Sequence, residues 1–235
     1  IYLTILGFGM GNYKDSTMER LSNKGNGNYF YIDNSKESDK VFDQGLMGTL
    51  YTIAKDVKIQ IEFNPAVIKE YRLIGYENRK LNNEDFADDK KDAGDVGSGH
   101  QVTVLYELVP AKGGDSETDV DKLAYQDVKI KNSQDIATFK LRYKEPDGEK
   151  SKELKKVLKQ DIYKKNNTED FNFAVAVAEF GMLLRDSEHK GDLTYNDALN
   201  LAEKSKGNDK YGYKAEFIKM LEKAEKITKL PEKTQ

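Results

Sequence analysis

Val57-Lys58-Ile59-Gln60-Ile61-Glu62-Phe63 places an apolar residue at every second position. Successive side chains of a strand point to opposite faces, so Val57, Ile59, Ile61 and Phe63 share one face and Lys58, Gln60 and Glu62 the other. Ala137-Thr138-Phe139-Lys140-Leu141-Arg142-Tyr143 repeats the pattern. The stretch from Val57 to Tyr143 is therefore expected to form a β-sandwich, with the apolar faces inward and Lys58, Gln60, Glu62, Thr138, Lys140 and Arg142 in water.

Within that stretch, Asn64-Pro65 breaks the first strand, because proline removes a ladder donor, and Val67–Tyr76 resumes it as a hairpin-like partner. Glu77–Gly99 is polar and acidic and reads as a long surface loop. Val102, Val104, Tyr106 and Leu108 alternate as a further strand, Pro110–Asp121 is a link, and Leu123–Ile130 continues the sheet with a bend near Gln126. Glu145-Pro146-Asp147-Gly148 is a turn, and Lys150–Val157 returns as an edge strand.

Upstream, Ile1–Leu6 is apolar at almost every position and suits an interior strand of a parallel sheet. Ser16 with Glu19 spells a capping box for a short helix that turns Met18 and Leu21 inward, and Tyr29–Ile32 is a second strand. Ser35 or Ser38 can cap a longer helix with Phe42, Leu46, Leu50 and Ile53 on one stripe. This β-α-β-α order argues for a parallel α/β unit, yet two strands are too few for an independent sheet, so the unit reads as half of a domain. The chain opens at Ile1, inside an apolar run and without methionine, as if excised from something longer.

Downstream, Thr168 with Glu169 and Asp170 starts a helix whose Phe171–Leu184 stretch is apolar nearly all round and is expected to be buried. Thr194 and Asp197 cap a second helix closed by Gly207, and Tyr213, Phe217, Met220, Leu221, Ala224 and Ile227 form the stripe of a third, stopped by Pro231.

Composition narrows the classes. The 235 residues carry 38 Lys+Arg against 41 Asp+Glu, a net charge of −3, so no nucleic-acid footprint is expected. No apolar run approaches the roughly 20 residues of a membrane helix. With 0 cysteines, thiolate and disulfide chemistry are absent.

Two stretches could carry chemistry. Gly7-x-Gly9-x-Gly11 follows an apolar strand and precedes a helix, as a phosphate cradle does, and Asp33 stands where dinucleotide folds want an acid. The third glycine of that fingerprint is missing, and a plain strand-to-helix loop is the preferred reading. Asp85, Asp88, Asp89, Asp92 and Asp95 could chelate calcium through carboxylate and carbonyl oxygens, but the EF-hand spacing is not met and a solvated acidic loop is preferred. No cofactor or metal is therefore expected. His100 and His189 are too few for a metal cage or a relay triad. Tyr29, Tyr31, Tyr71, Tyr76, Tyr106 and Tyr143 could form a binding strip, although sheet packing accounts for aromatic residues in strands.

Ile5-Leu6-Gly7-Phe8-Gly9 through Asn12, Met18-Glu19 and Gly25-Asn26-Gly27-Asn28-Tyr29-Phe30-Tyr31-Ile32-Asp33 resemble the last strands and helices of a von Willebrand factor type A (VWA) domain. Arg72-Leu73-Ile74-Gly75-Tyr76-Glu77-Asn78-Arg79, Glu84-Asp85-Phe86, Asp92-Ala93-Gly94 and Gly99 through Glu107 are similar to the region that follows that domain in bacterial proteins of the YfbK type. Phe171–Leu184 with Gly212-Tyr213-Lys214-Ala215-Glu216-Phe217 resembles the same family's C-terminal domain, so the resemblance covers nearly the whole chain. VWA domains hold a metal-dependent adhesion site built on positions that precede the strand matched here by Ile1–Leu6, so no residue of this chain inherits it. The resemblance implies a non-enzymatic binding or scaffolding role in the bacterial cell envelope, often in a lipoprotein.

Together these readings give an α+β protein. Residues 1–54 are the end of a VWA-like α/β unit, 55–165 a β-sandwich, and 166–235 a helical segment packing on the sandwich. The function expected is a protein-interaction module with an unspecified protein partner. The alternative is a nucleotide- or metal-dependent enzyme using the Gly7–Gly11 or Asp85–Asp95 loop. Ile1–Leu6, an uncharged edge, is expected to favour self-association.

Overall fold

The computed structural model of the chain describes residues 3–9, 14–76, 79–111, 133–162 and 167–228. The α+β class holds. The chain divides into two compact units, the first made of residues 1–69, 78–102 and 110–160 and the second of residues 70–77, 103–109 and 161–235.

The first unit opens with β1 (Ile5–Phe8), α1 (Asp15–Lys24) and β2 (Tyr29–Ile32), and β1 pairs with β2 in parallel, Ile5 opposite Tyr29 and Phe8 opposite Ile32. The helix begins without the expected capping box. Lys14 occupies the cap position with no side-chain bond, and Leu21 is 46% exposed while Ser22 is buried, its hydroxyl donating to the Glu19 carbonyl. The helix expected from Ser35 to Ile53 is broken into three pieces: α2 (Ser35–Asp39), a π-turn at Lys40–Gln44, and α3 (Leu46–Leu50). Asn34, rather than either serine, caps α2 by accepting from the N–H groups of Lys36 and Glu37. Glycines at 45 and 48 explain the break, since each weakens a helix interior, and the intended stripe stays outside: Phe42, Leu46, Leu50 and Ile53 are all exposed.

Gly48 has a packing reason to be glycine. A Cβ on Gly97 would lie 1.6 Å from the Gly48 carbonyl oxygen, and one on Gly48 would lie 2.4 Å from Nε2 of His100. Only bare backbone lets α3 meet the strand that carries Gly97.

The strands β3 (Thr52–Phe63), β5 (Gly94–Gly97), β7 (Asp135–Lys144) and β8 (Lys152–Lys159) form one antiparallel sheet in the order β5-β3-β7-β8. The sandwich expected over Val57–Tyr143 is thus, among the described strands of this unit, a single four-stranded sheet. The strands β4 (Ile68–Ile74) and β6 (Leu105–Pro110) pair with one another in a separate ribbon that falls mostly in the second unit. The expected strand Leu123–Ile130 lies outside the described residues, as do Gly11 and Pro231. Lys58 lies opposite Arg142, Ile59 opposite Leu141 and Ile61 opposite Phe139, so the period-2 reading of β3 and β7 placed these side chains on the right faces. Exposure departs from that reading at two positions, while Ala137 is buried and Glu62 exposed as expected. Lys58 is 3% exposed and Ile59 41%.

In the second unit, α4 (Glu169–Leu184), α5 (Tyr195–Lys204) and α6 (Tyr213–Thr228) enclose Ala176, Phe180, Ala198, Ala202, Ile218 and Leu221. Phe217 meets Phe173 and Phe180 edge-on at 5.4 and 5.6 Å, an arrangement the ring quadrupole favours. Thr168 caps α4, and Thr194 with Asp197 forms a full reciprocal capping box on α5. The expectation that α4 is buried all round is not met: Phe171 and Val177 are each 45% exposed and Leu184 is 60% exposed. Alanines at 176 and 198 let the helices approach closely on one side only.

Candidate functional site

The acidic segment is where the first unit concentrates its charge, and it is not the open loop its composition suggests. Glu84–Phe86 forms a 3₁₀ turn, Gly94–Gly97 is strand β5, and Phe86 is buried with the Arg142 guanidinium 5.9 Å from its ring centre. Three cations from the sheet hold it: Lys58 on β3, and Arg142 and Lys144 on β7.

Lys58 is central. Its Nζ donates to the carbonyl oxygens of Asp85 at 3.2 Å and Asp88 at 2.5 Å, which gives a buried ammonium the acceptors it requires. Arg142 donates to Oδ1 of Asp89 at 2.8 Å, and the Ser151 hydroxyl donates to the same oxygen at 2.6 Å. These bonds, Ser151 first, keep the Asp89 carboxyl below its ordinary range. Asp85 accepts from Asn82 and lies 3.6 Å from Lys91, and Asp88 accepts from the Lys90 N–H.

Beside this clamp, β3 carries an irregularity between Lys55 and Lys58 where Asp56 adopts φ +50°, a conformation aspartate tolerates better than most residues. The bulge turns Asp56 into a junction. Its N–H donates to Oδ1 of Asp95 at 3.0 Å, its Oδ1 accepts from the Ala93 N–H at 3.1 Å, and its Oδ2 accepts from Lys144 at 2.5 Å. The Lys144 and Asp56 side chains are only 14% and 17% exposed. Burial opposes the charged form of Asp56, but the bonds from Lys144 and Ala93 outweigh it and hold the carboxyl below the usual range. Asp92 moves the other way, raised by burial and by its hydrogen bond with, and the charge of, Asp56. Asp95 is raised chiefly by burial.

All five candidate aspartates thus have protein partners. Among the described residues, no three acidic, histidine or cysteine groups are placed to hold a metal ion. The arrangement stiffens a segment; the cations that satisfy its oxygens come from the sheet itself. Sequence reading missed Lys58 and Arg142 because it placed the polar residues of both strands in water, and it did not single out Lys144. The signal available was the coincidence of three cations on two strands with an acid-rich segment between them in sequence.

The glycine run divides. Gly7 lies inside β1 opposite Tyr31, and Gly9, at φ +87°, follows it with its carbonyl accepting from the Tyr31 hydroxyl at 2.7 Å. Asp33 accepts from the side-chain amide of Asn34. His100 lines a small cavity of about 110 Å³ together with Arg79 and Asp95, and His189 lies on a loop beside Glu188. The tyrosines divide between the units: Tyr29 and Tyr31 lie on β2, Tyr143 on β7, and Tyr71, Tyr76 and Tyr106 in the second unit.

Comparison with known proteins places the chain in a family. A family model described as "Uncharacterized protein YfbK, C-terminal" matches residues 48–227. The curated "Uncharacterized protein YfbK" of Escherichia coli (strain K12) is 40% identical over 232 residues, which is 97% of this chain and 40% of that protein. The chain therefore spans about two fifths of the length of that relative. No solved structure matches.

Proposed function

The chain belongs to the family of YfbK C-terminal domains, and from that premise we propose that it is a non-enzymatic protein-interaction module of a bacterial envelope protein. The observation that carries the reading is the run from Phe42 to Ile53. Phe42, Leu46, Met47, Leu50, Tyr51 and Ile53 are between 39% and 64% exposed within twelve residues of sequence. Large apolar side chains left in water this close together in sequence support a surface that meets another protein. The acidic segment supports the same reading, since its charges are spent on internal bonds.

The VWA-like character of residues 1–54 and the envelope address enter through the sequence resemblance. They are supported by the parallel β1–α1–β2 order. In this proposal the first unit offers its apolar run to a partner protein while the clamped sheet acts as a stiff mount.

The test is a photo-crosslinking residue at Leu50 of the full-length protein in its own cells. A discrete crosslink to a second protein that Met47→Glu abolishes is the expected result. A crosslink confined to the protein's own chain would reassign the run to internal packing and sink the proposal. So would measurable turnover of ATP or NAD with magnesium.

A further inference from the structure

Strand β8 ends the β5-β3-β7-β8 sheet, and its eight residues pair with β7 from Lys152 opposite Tyr143 to Lys159 opposite Asp135. Among the described residues, no strand pairs with its outer edge. An edge strand leaves alternate N–H and C=O groups facing outward, a ready template for another chain. The strand carries neither proline nor glycine.

Its charges are unevenly satisfied. Lys152 pairs with Glu145 at 2.6 Å, but Lys155, Lys156 and Lys159 have no ion pair among the described residues. Moreover, Lys155 sits directly opposite Lys140 on β7, and the acid nearest Lys140, Glu62, is 3.9 Å away. Like charges directly opposed across a ladder are destabilising. An anion brought to that face relieves the repulsion.

We propose that the outer edge of β8, which no described strand occupies, receives an extended acidic segment of a partner protein, which adds to the sheet as a further strand. Lysines on an edge ordinarily keep strands apart. Here they act as a filter: a neutral or basic strand meets three ammonium groups that no described acid pairs, whereas a strand with acids at alternate positions brings carboxylates to Lys155 and Lys159 on one face. The surface belongs to the same class as the interaction reading above, but it is distinct from the Phe42–Ile53 run.

The experiment uses the whole chain and a labelled eight-residue peptide alternating glutamate and valine, read by fluorescence anisotropy. A lysine–valine peptide and an N-methylated glutamate–valine peptide serve as comparisons. The glutamate–valine peptide is expected to bind, more weakly as salt rises, and N-methylation is expected to lower affinity at least tenfold. Lys155→Glu with Lys159→Glu, both at exposed positions, is expected to abolish that binding and admit the lysine–valine peptide instead. Equal binding of the N-methylated peptide would show attraction by charge alone and overturn strand addition. Binding to phosphatidylglycerol vesicles but to neither peptide would overturn it as well, as would no binding at all. Because the peptide assay does not involve Leu50, absence of glutamate–valine binding by the parent chain with the Leu50 crosslink intact would remove this surface and keep the interaction reading; the reverse pattern would do the opposite.

Discussion

Lys58 donates from its buried ammonium to the carbonyl oxygen of Asp88 at 2.5 Å, thirty residues further along the chain, and the acidic segment folds round that bond. A second bond, to the Asp85 carbonyl, fixes the 3₁₀ turn at the same time. Backbone carbonyls converging on a cation are what a metal loop provides; here the cation is covalently part of the sheet.

Lys58→Met keeps much of the volume and removes the donor. The carbonyl oxygens of Asp85 and Asp88 then lose their charged donor, at a cost of about 1–3 kcal/mol. Urea unfolding should show a lower midpoint with an unchanged slope, and amides of residues 84–93 should exchange faster. A midpoint within experimental error of the parent would show that the Lys58 clamp carries no weight.

The Asp56 and Asp92 carboxyls predict opposite pH behaviour. Asp56 has a lowered folded value, so its stabilisation is complete above the unfolded value, about 3.9, and is lost as pH falls through the folded value. Asp92 has a raised folded value, so its favourable contribution is complete below the unfolded value and is lost as pH rises through the folded one. At pH 7, Asp56→Asn should therefore destabilise and Asp92→Asn should stabilise, and both differences should shrink towards pH 3. Asparagine tolerates the left-handed backbone at position 56, so the substitution tests charge rather than strain. Urea midpoints from pH 3 to pH 8 decide it; the same sign for both variants at pH 7 would contradict the opposed shifts of Asp56 and Asp92.

In the second unit, adjacent positions of α4 should differ sharply. Ala176 is 0% exposed among Ala198, Ala202 and Leu221, whereas Val177 is 45% exposed. Ala176→Asp buries an unpaired carboxylate and should abolish cooperative melting of the three helices. Val177→Asp should cost less than about 1 kcal/mol, roughly the spread of helix propensities. Circular dichroism melts of the two variants test the pair, and equal damage from both would mean that the exposed face of α4 is covered.

That contrast marks how far sequence carries. Thr168 and the Thr194–Asp197 box were legible because a cap is a contact between residues three apart. The faces of β3 and β7 were legible from period-2 alternation, and so was the edge at β8. The burial of Lys58 was not, because alternation says which residues share a face but not which face is covered. The covering piece lies 27 residues on, in a stretch whose composition reads as solvated. The Ser35–Ile53 stripe failed for a local reason, two glycines and a strand beginning at Thr52, and α4 failed because alanines make a helix apolar without making it buried.

The last prediction concerns β1, the opposite kind of edge from β8. Ile5-Leu6-Gly7-Phe8 carries no charge, pairs with β2 on one side, and has no second strand partner among the described residues. Phe8 is 62% exposed and Leu3 44%. Edges without charge, proline or bulge invite pairing with another copy, so this chain, taken alone, is expected to associate through β1 while β8 stays unpaired in the absence of acid. Light scattering over a concentration series should show a rising mean mass for the parent. Ile5→Lys should return it to the monomer mass, while Lys155→Glu should leave the rise unchanged. If the chain stays monomeric and the amides of Leu6 and Phe8 resist exchange, another part of the molecule covers that edge, and self-association through β1 is excluded.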